Sequence, residues 1–155
     1  MKTKILFSIF LLSSSLILLM SCGDDNEDLT KPEISLNSPE EGAVFLIGDE
    51  DGVCFDADLE DDVMLSSYKL NIHSNFDGHG HARLDNASTV DFRLEQTYDI
   101  SGKKNAHVHH HDIVIPANAT PGKYHFMIFC TDASGNEIFI ARNIVLSHDA
   151  QSGQH

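Results

Sequence analysis

The chain has 155 residues, enough for one domain, and a formal net charge of −14 from 24 acidic and 10 basic residues. Such an acidic balance excludes nucleic acid as a partner, because phosphate binding needs a basic footprint. Tryptophan is absent, and Val, Ile and Phe recur at short intervals, which favours strands over a helical bundle.

Lys2 and Lys4 precede an apolar run from Ile5 to Met20, interrupted by Ser8 and by Ser13, Ser14 and Ser15. The run is shorter than the roughly 20 residues of a membrane-crossing helix and reads as an export signal over residues 1–21. It closes on Leu19-Met20-Ser21-Cys22, which resembles a bacterial lipobox, with Met20 a less usual occupant of its position. The resemblance implies cleavage before Cys22 and diacylation of Cys22, so that the membrane is a partner through a lipid anchor. The alternative is an ordinary secretory signal followed by an incidental cysteine.

Residues 22–31 form a tether. Gly23-Asp24-Asp25-Asn26-Glu27-Asp28 has no apolar period with which to bury itself, and disorder is expected there. It resembles the acidic export tag that sends Bacteroidota lipoproteins to the outer face of the outer membrane. The alternative is a spacer on a lipoprotein facing the periplasm. The expected location is the outer membrane, lipid-anchored and exposed at the cell surface. Loss of Lys2 and Lys4 on processing leaves eight basic residues against 24 acidic, a net charge of −16.

The expected folded domain spans residues 32–147, with a frayed tail over 148–155. Glu33–Leu36 alternates as a short strand, Ala43–Ile47 is a second apolar run, and Gly52–Leu59 sets Val53, Phe55, Ala57 and Leu59 against Cys54, Asp56 and Asp58. Leu65–His73 is the next strand, followed by Thr89–Ile100, where Val90, Phe92 and Leu94 oppose Asp91, Arg93 and Glu95. After the turn Gly102–Asn105 comes a histidine-rich strand ending at Ile115-Pro116. Tyr124–Thr131 is almost continuously apolar, which predicts a central strand buried on both sides. Asp132–Asn136 has hairpin-turn chemistry, and Ile138–Leu146 is the last strand. No segment keeps a helical period, so the expected fold class is all-β, a sandwich of seven to eight strands with essentially no helix.

Gly122-Lys123-Tyr124-His125-Phe126, Cys130-Thr131-Asp132 and Gly135-Asn136 resemble the last hairpin of bacterial immunoglobulin-like domains. With the lipobox and the two histidine segments added, the chain is similar to the uncharacterised Bacteroidota surface lipoproteins that carry a His-rich immunoglobulin-like domain. That resemblance implies a fold and an address, and no activity.

Seven of the ten histidines fall in Ile72–His81 and His107–His111. His79 and His81 have the His-x-His spacing that aims two imidazoles one way, with Gly78 and Gly80 to bend the backbone. His107, His109 and His111 form one row of a strand, while His110 faces the other side with Val108 and Asp112. Two such pairs brought together would supply three or four imidazoles, a set suited to a transition metal, with zinc or copper favoured and the sequence unable to choose between them. Asp77 and Asp112 are placed to ligate or to orient a ring. His125 faces outward between Tyr124 and Phe126 and is a further candidate ligand, whereas His73, His148 and His155 read as ordinary polar residues.

Cys54 and Cys130 make an even pair in an oxidising compartment and are a candidate disulfide, but the strand phase turns Cys54 away from the core, beside Asp56. Asp56-Ala57-Asp58-Leu59-Glu60-Asp61-Asp62 fails as an EF-hand, because Asp61 stands where the turn needs Gly and Ser67 where the bidentate Glu belongs. A looser calcium site between loops and a solvated loop both stay open. There is no His-Glu-x-x-His, no Gly-x-Ser-x-Gly and no phosphate-cradling loop, so no enzyme is expected. The expected function is a lipid-anchored protein that binds a transition metal, or a metal-containing ligand, through clustered histidines and hands it to an outer-membrane transporter. The alternative is a non-metal module that docks on a glycan or a surface protein.

Overall fold

The computed structural model describes residues 28–75 and 88–149. The export signal, Cys22, Asp77, His79, His81 and the end of the tail lie outside the described residues. Eight strands run in chain order: β1 Glu33–Ser38, β2 Val44–Leu46, β3 Val53–Glu60, β4 Leu65–Ser74, β5 Leu94–Asp99, β6 Asn105–Ile113, β7 Gly122–Asp132 and β8 Glu137–Ser147. There is no helix among the described residues.

Period-two alternation sets the two layers. Val53, Phe55, Ala57 and Leu59 of β3 are buried, as are Tyr68, Leu70 and Ile72 of β4, Tyr124, Phe126, Ile128 and Cys130 of β7, and Ile144 and Leu146 of β8. A three-stranded sheet ordered β1-β3-β6 and a five-stranded sheet ordered β2-β8-β7-β4-β5 contribute these faces to a common core. Each fully buried Leu, Ile or Phe there contributes about 1.5–3 kcal/mol relative to an exposed one. Phe55 lies near the centre, its ring centroid 6.0 Å from that of Phe126 and 5.8 Å from that of Tyr68.

Two details depart from the alternation. The strand expected over Thr89–Ile100 is regular only from Leu94, and Val90 makes an isolated bridge to Ala119. Its hydrogen-bonding groups are committed elsewhere: Val90 N donates to Asn118 O, Thr120 N donates to Val90 O, and Phe92 N donates to Tyr124 Oη. The chain therefore leaves the β4 ladder before Leu94. β7 is central, as its apolar content predicts, but is not buried on both sides: Met127 and Phe129 are half-buried on the outer face. Among the described residues only two layers form, and none of them covers that face.

Register fixes the two ends of the sandwich. Val53 opposes Ile113, Gly48 N donates to Ile115 O, Leu46 pairs with Ser147, and Gly122 pairs with Leu146. β4 finishes at this end, where Asn75 N donates to Lys123 O. At the other end, Asp61 N donates to Lys104 O and Leu65 pairs with Asp132.

Candidate metal centre

On the outer face of the three-stranded sheet, polar side chains line up across all three strands. β3 and β6 pair antiparallel with Asp58 opposite His107 and Asp56 opposite His109. His109 Nδ1 lies 2.9 Å from Asp56 Oδ2, and His107 Nδ1 lies 2.9 Å from Asp58 Oδ1. From β1, Asn37 Nδ2 donates to Asp56 Oδ1 at 2.8 Å and to Asp58 Oδ2 at 3.0 Å. Asn37 and then the histidine bonds hold both carboxyls below their ordinary range. The Asp58 hydrogen bond in turn holds His107 above the ordinary imidazole range.

Cys54 shares the outward row of β3 with Asp56 and Asp58, and the register with β6 shifts between Val53 and Phe55, beside it. Gly52 makes the approach feasible. Its φ is +75°, and a Cβ there would stand 2.1 Å from His111 O, so no other residue fits beside the β6 backbone. The consequence is a cluster in which one ligand atom each from Cys54, His109 and His111 lies within 4.8 Å of the others. The two imidazoles are 5.5 Å apart between ring centroids, nearly edge to face. Both histidines are exposed and Cys54 is half-buried, so an ion entering from solvent meets the site directly.

Thiolate plus imidazole is a donor set for zinc or copper. Asp56 accepting from Nδ1 of His109 leaves the Nε2 lone pair for a cation, the carboxylate–histidine arrangement that fixes the tautomer and raises ligand basicity.

The other histidines go elsewhere. His110 turns inward, with ring centroids 5.0 Å from both Phe55 and Tyr98, and its Nδ1 accepts from Asp112 N at 3.3 Å. Burial pushes it below the ordinary imidazole range. Asp112 itself is exposed, 3.6 Å from that same ring nitrogen, and joins no cluster with Cys54. His125 lies on the five-stranded sheet, cross-strand from His73 at 5.3 Å between ring centroids, and so is separated from His109 and His111 by the sandwich core. His73 also bonds Asn71 Oδ1 through Nδ1 at 2.6 Å, and desolvation, then His125 and Arg93, lower its pKa.

Both described cysteines are free thiols, so the candidate disulfide is not formed. Cys130 faces the core from β7, whereas Cys54 stands on the outer side of β3, and the inner face of β3 lies between them. Cys54, by sequence a candidate for a bridge that its strand phase opposes, stands here as a ligand candidate. The signal for it was its phase, which places it with Asp56 on the outward row.

A protein-family profile described as a domain of unknown function, DUF4625, matches residues 20–147. The chain belongs to the DUF4625 family. The match takes in all eight strands of the DUF4625 domain together with Cys54, His109 and His111. No curated protein matches the chain.

Proposed function

We propose that this chain is a lipid-anchored, cell-surface protein whose immunoglobulin-like domain binds a transition metal, zinc or copper, at Cys54, His109 and His111. The observation that carries the reading is the convergence of one thiol and two imidazole donors within 4.8 Å, on strands far apart in sequence. The Leu19–Cys22 motif supports the anchor. The sheet order, the parallel pairing of β2 with β8, and Tyr124 Oη donating to Thr120 O at 2.8 Å support an immunoglobulin-like fold, whose corner tyrosine bonds in this way. His79 and His81, expected as further ligands, lie outside the described residues. A surface-anchored site of this kind suits delivery of the metal to an outer-membrane transporter.

Titration of untagged, metal-stripped protein with Zn²⁺ and Cu⁺ under reducing conditions tests the proposal. Binding tighter than micromolar that is lost in Cys54→Ser and His109→Ala is the expected result. Affinity no tighter than millimolar would remove the metal reading. It would leave the non-metal docking module, which is favoured by Phe139 on the outer face of the five-stranded sheet, 56% exposed and 5.5 Å from Phe129 between ring centroids.

A further inference from the structure

At the opposite end of the sandwich, three carboxylates meet where no histidine takes part. Asp28 precedes β1, and Asp61 and Asp62 follow β3; one oxygen from each lies within 4.8 Å of the others. Acidic clusters are common on surfaces, and what separates this one is burial. Asp61 is only 8% exposed, and its Oδ1 is fully buried with no hydrogen-bond partner. Oδ2 of Asp28 is in the same condition.

Both residues use their other oxygen locally. Asp61 Oδ2 accepts from Val63 N at 3.0 Å and Met64 N at 2.6 Å, and Asp28 Oδ1 accepts from Thr30 N at 3.0 Å. Each carboxyl is thus held in place by a backbone donor on one oxygen, while its second oxygen is buried with no hydrogen-bond partner. Asp28 is fixed a second time: Asn136 Nδ2 donates to its carbonyl at 2.8 Å and to Asp132 Oδ2 at 2.7 Å. The Lys104 ammonium contacts the Asp62 carbonyl at 2.5 Å, and among the described residues no Lys or Arg pairs with any of the three carboxylates.

Buried carboxylates this close together are costly unless a cation or a proton offsets their charge. Calcium takes six to eight oxygen ligands at about 2.3–2.6 Å, so ligand oxygens on one ion lie up to about 5 Å apart, which is the spacing found here. Magnesium demands a stricter octahedron and retains its waters, and zinc prefers nitrogen and sulfur donors.

We propose that Asp28, Asp61 and Asp62 form a calcium site that clamps the start of the domain to the β3–β4 turn, with solvent completing the coordination on the exposed Asp62 side. The Asp132–Asn136 turn belongs to the same construction, because Asn136 carries Asp28 into position. The inference is independent of the reading of Cys54, His109 and His111, since the two clusters lie seven residues apart along β3, about 23 Å in an extended strand.

The test is thermal unfolding of the full mature chain, stripped with chelator and then supplied with millimolar Ca²⁺ or Mg²⁺, beside a terbium luminescence titration. Ca²⁺ is expected to raise the midpoint by several degrees, Mg²⁺ by less, and Tb³⁺ emission to be quenched by added Ca²⁺. Asp28→Asn and Asp61→Asn should each abolish the Ca²⁺ shift, and Asp28→Asn should lose no stability in chelator, because it removes one of the clustered charges. His109→Ala should keep the full Ca²⁺ shift. A wild-type midpoint indifferent to Ca²⁺, a shift given by Mg²⁺ alone, or an unchanged shift in Asp28→Asn would overturn the assignment. If Asp61→Asn does not fold, Asp28→Asn and Asp62→Asn carry the same decision.

Discussion

Asp56 of β3 and His109 of β6 are direct cross-strand partners, and Oδ2 of the first lies 2.9 Å from Nδ1 of the second. The carboxylate thereby sets which ring nitrogen is free for a cation. Asp56→Asn is expected to weaken zinc binding about 10–100-fold, the usual cost of losing the carboxylate behind a metal-bound histidine. Asp58→Asn, whose histidine partner is His107, should leave affinity within a few-fold. Competition against a chromophoric chelator distinguishes the two.

The two cysteines should differ sharply in reactivity. Burial, and after it Asp61 and Asp132, push the Cys130 thiol up to about 11. Its thiolate is scarce at neutral pH and its strand is shielded. Cys54 should be alkylated in the native protein and protected by Zn²⁺, while Cys130 reacts only after unfolding; mass spectrometry of iodoacetamide-treated samples reads both.

Gly52→Ala offers a test of the backbone approach that brings Cys54 to His111. A side chain at φ +75° costs about 1–2 kcal/mol in strain, and the added Cβ would also collide with His111 O. Loss of stability by at least that amount, together with weakened metal affinity, is expected from urea unfolding and zinc titration. Gly102→Ala, also at positive φ but with open space around it, should show the strain and no change in affinity.

Two histidines of β6 pull the pH dependence of stability in opposite directions. His110 has a lowered folded pKa, so acidification charges it first in the unfolded chain, and stability falls as pH drops below about 6.5 toward the folded value. His107 has a raised folded pKa, so its contribution is complete below about pH 6.5 and is lost as pH rises through the folded value. His110→Phe should flatten the acid side of the stability profile and His107→Ala the other side, as measured by urea midpoints from pH 5 to pH 8.

Phe55 is fully buried between the two sheets, with Tyr68, His110 and Phe126 around it. Phe55→Ala should cost about 3–5 kcal/mol, the range for truncating a core aromatic. Urea denaturation with an unchanged slope would confirm that the loss is in the folded core.

Much of the fold could be read residue by residue. The alternation of Val53, Phe55, Ala57 and Leu59 placed the core face of β3, and the same logic set His110 on the opposite face of β6 from His107 and His109. The exception over Thr89–Phe92 arose from bonds to Asn118, Thr120 and Tyr124, partners distant in sequence. The site was legible only in part. His109 and His111 stood out by spacing, but Cys54 was weighed as a disulfide partner and not as a ligand, and His125 went to the far sheet beside His73.

Side-chain phase is a local property of an extended backbone, and it was therefore open to the eye in the string of letters: which residues face inward, where strands begin, that imidazoles cluster. Which outward residues become neighbours depends on register between strands some fifty positions apart, as with Asp56 and His109. A slip of one residue would have matched a different partner to every histidine. Gly52 pressed against His111, and the buried oxygens of Asp28 and Asp61, exist only once the sheets have closed, because each is a contact made by chain closure and by no local preference.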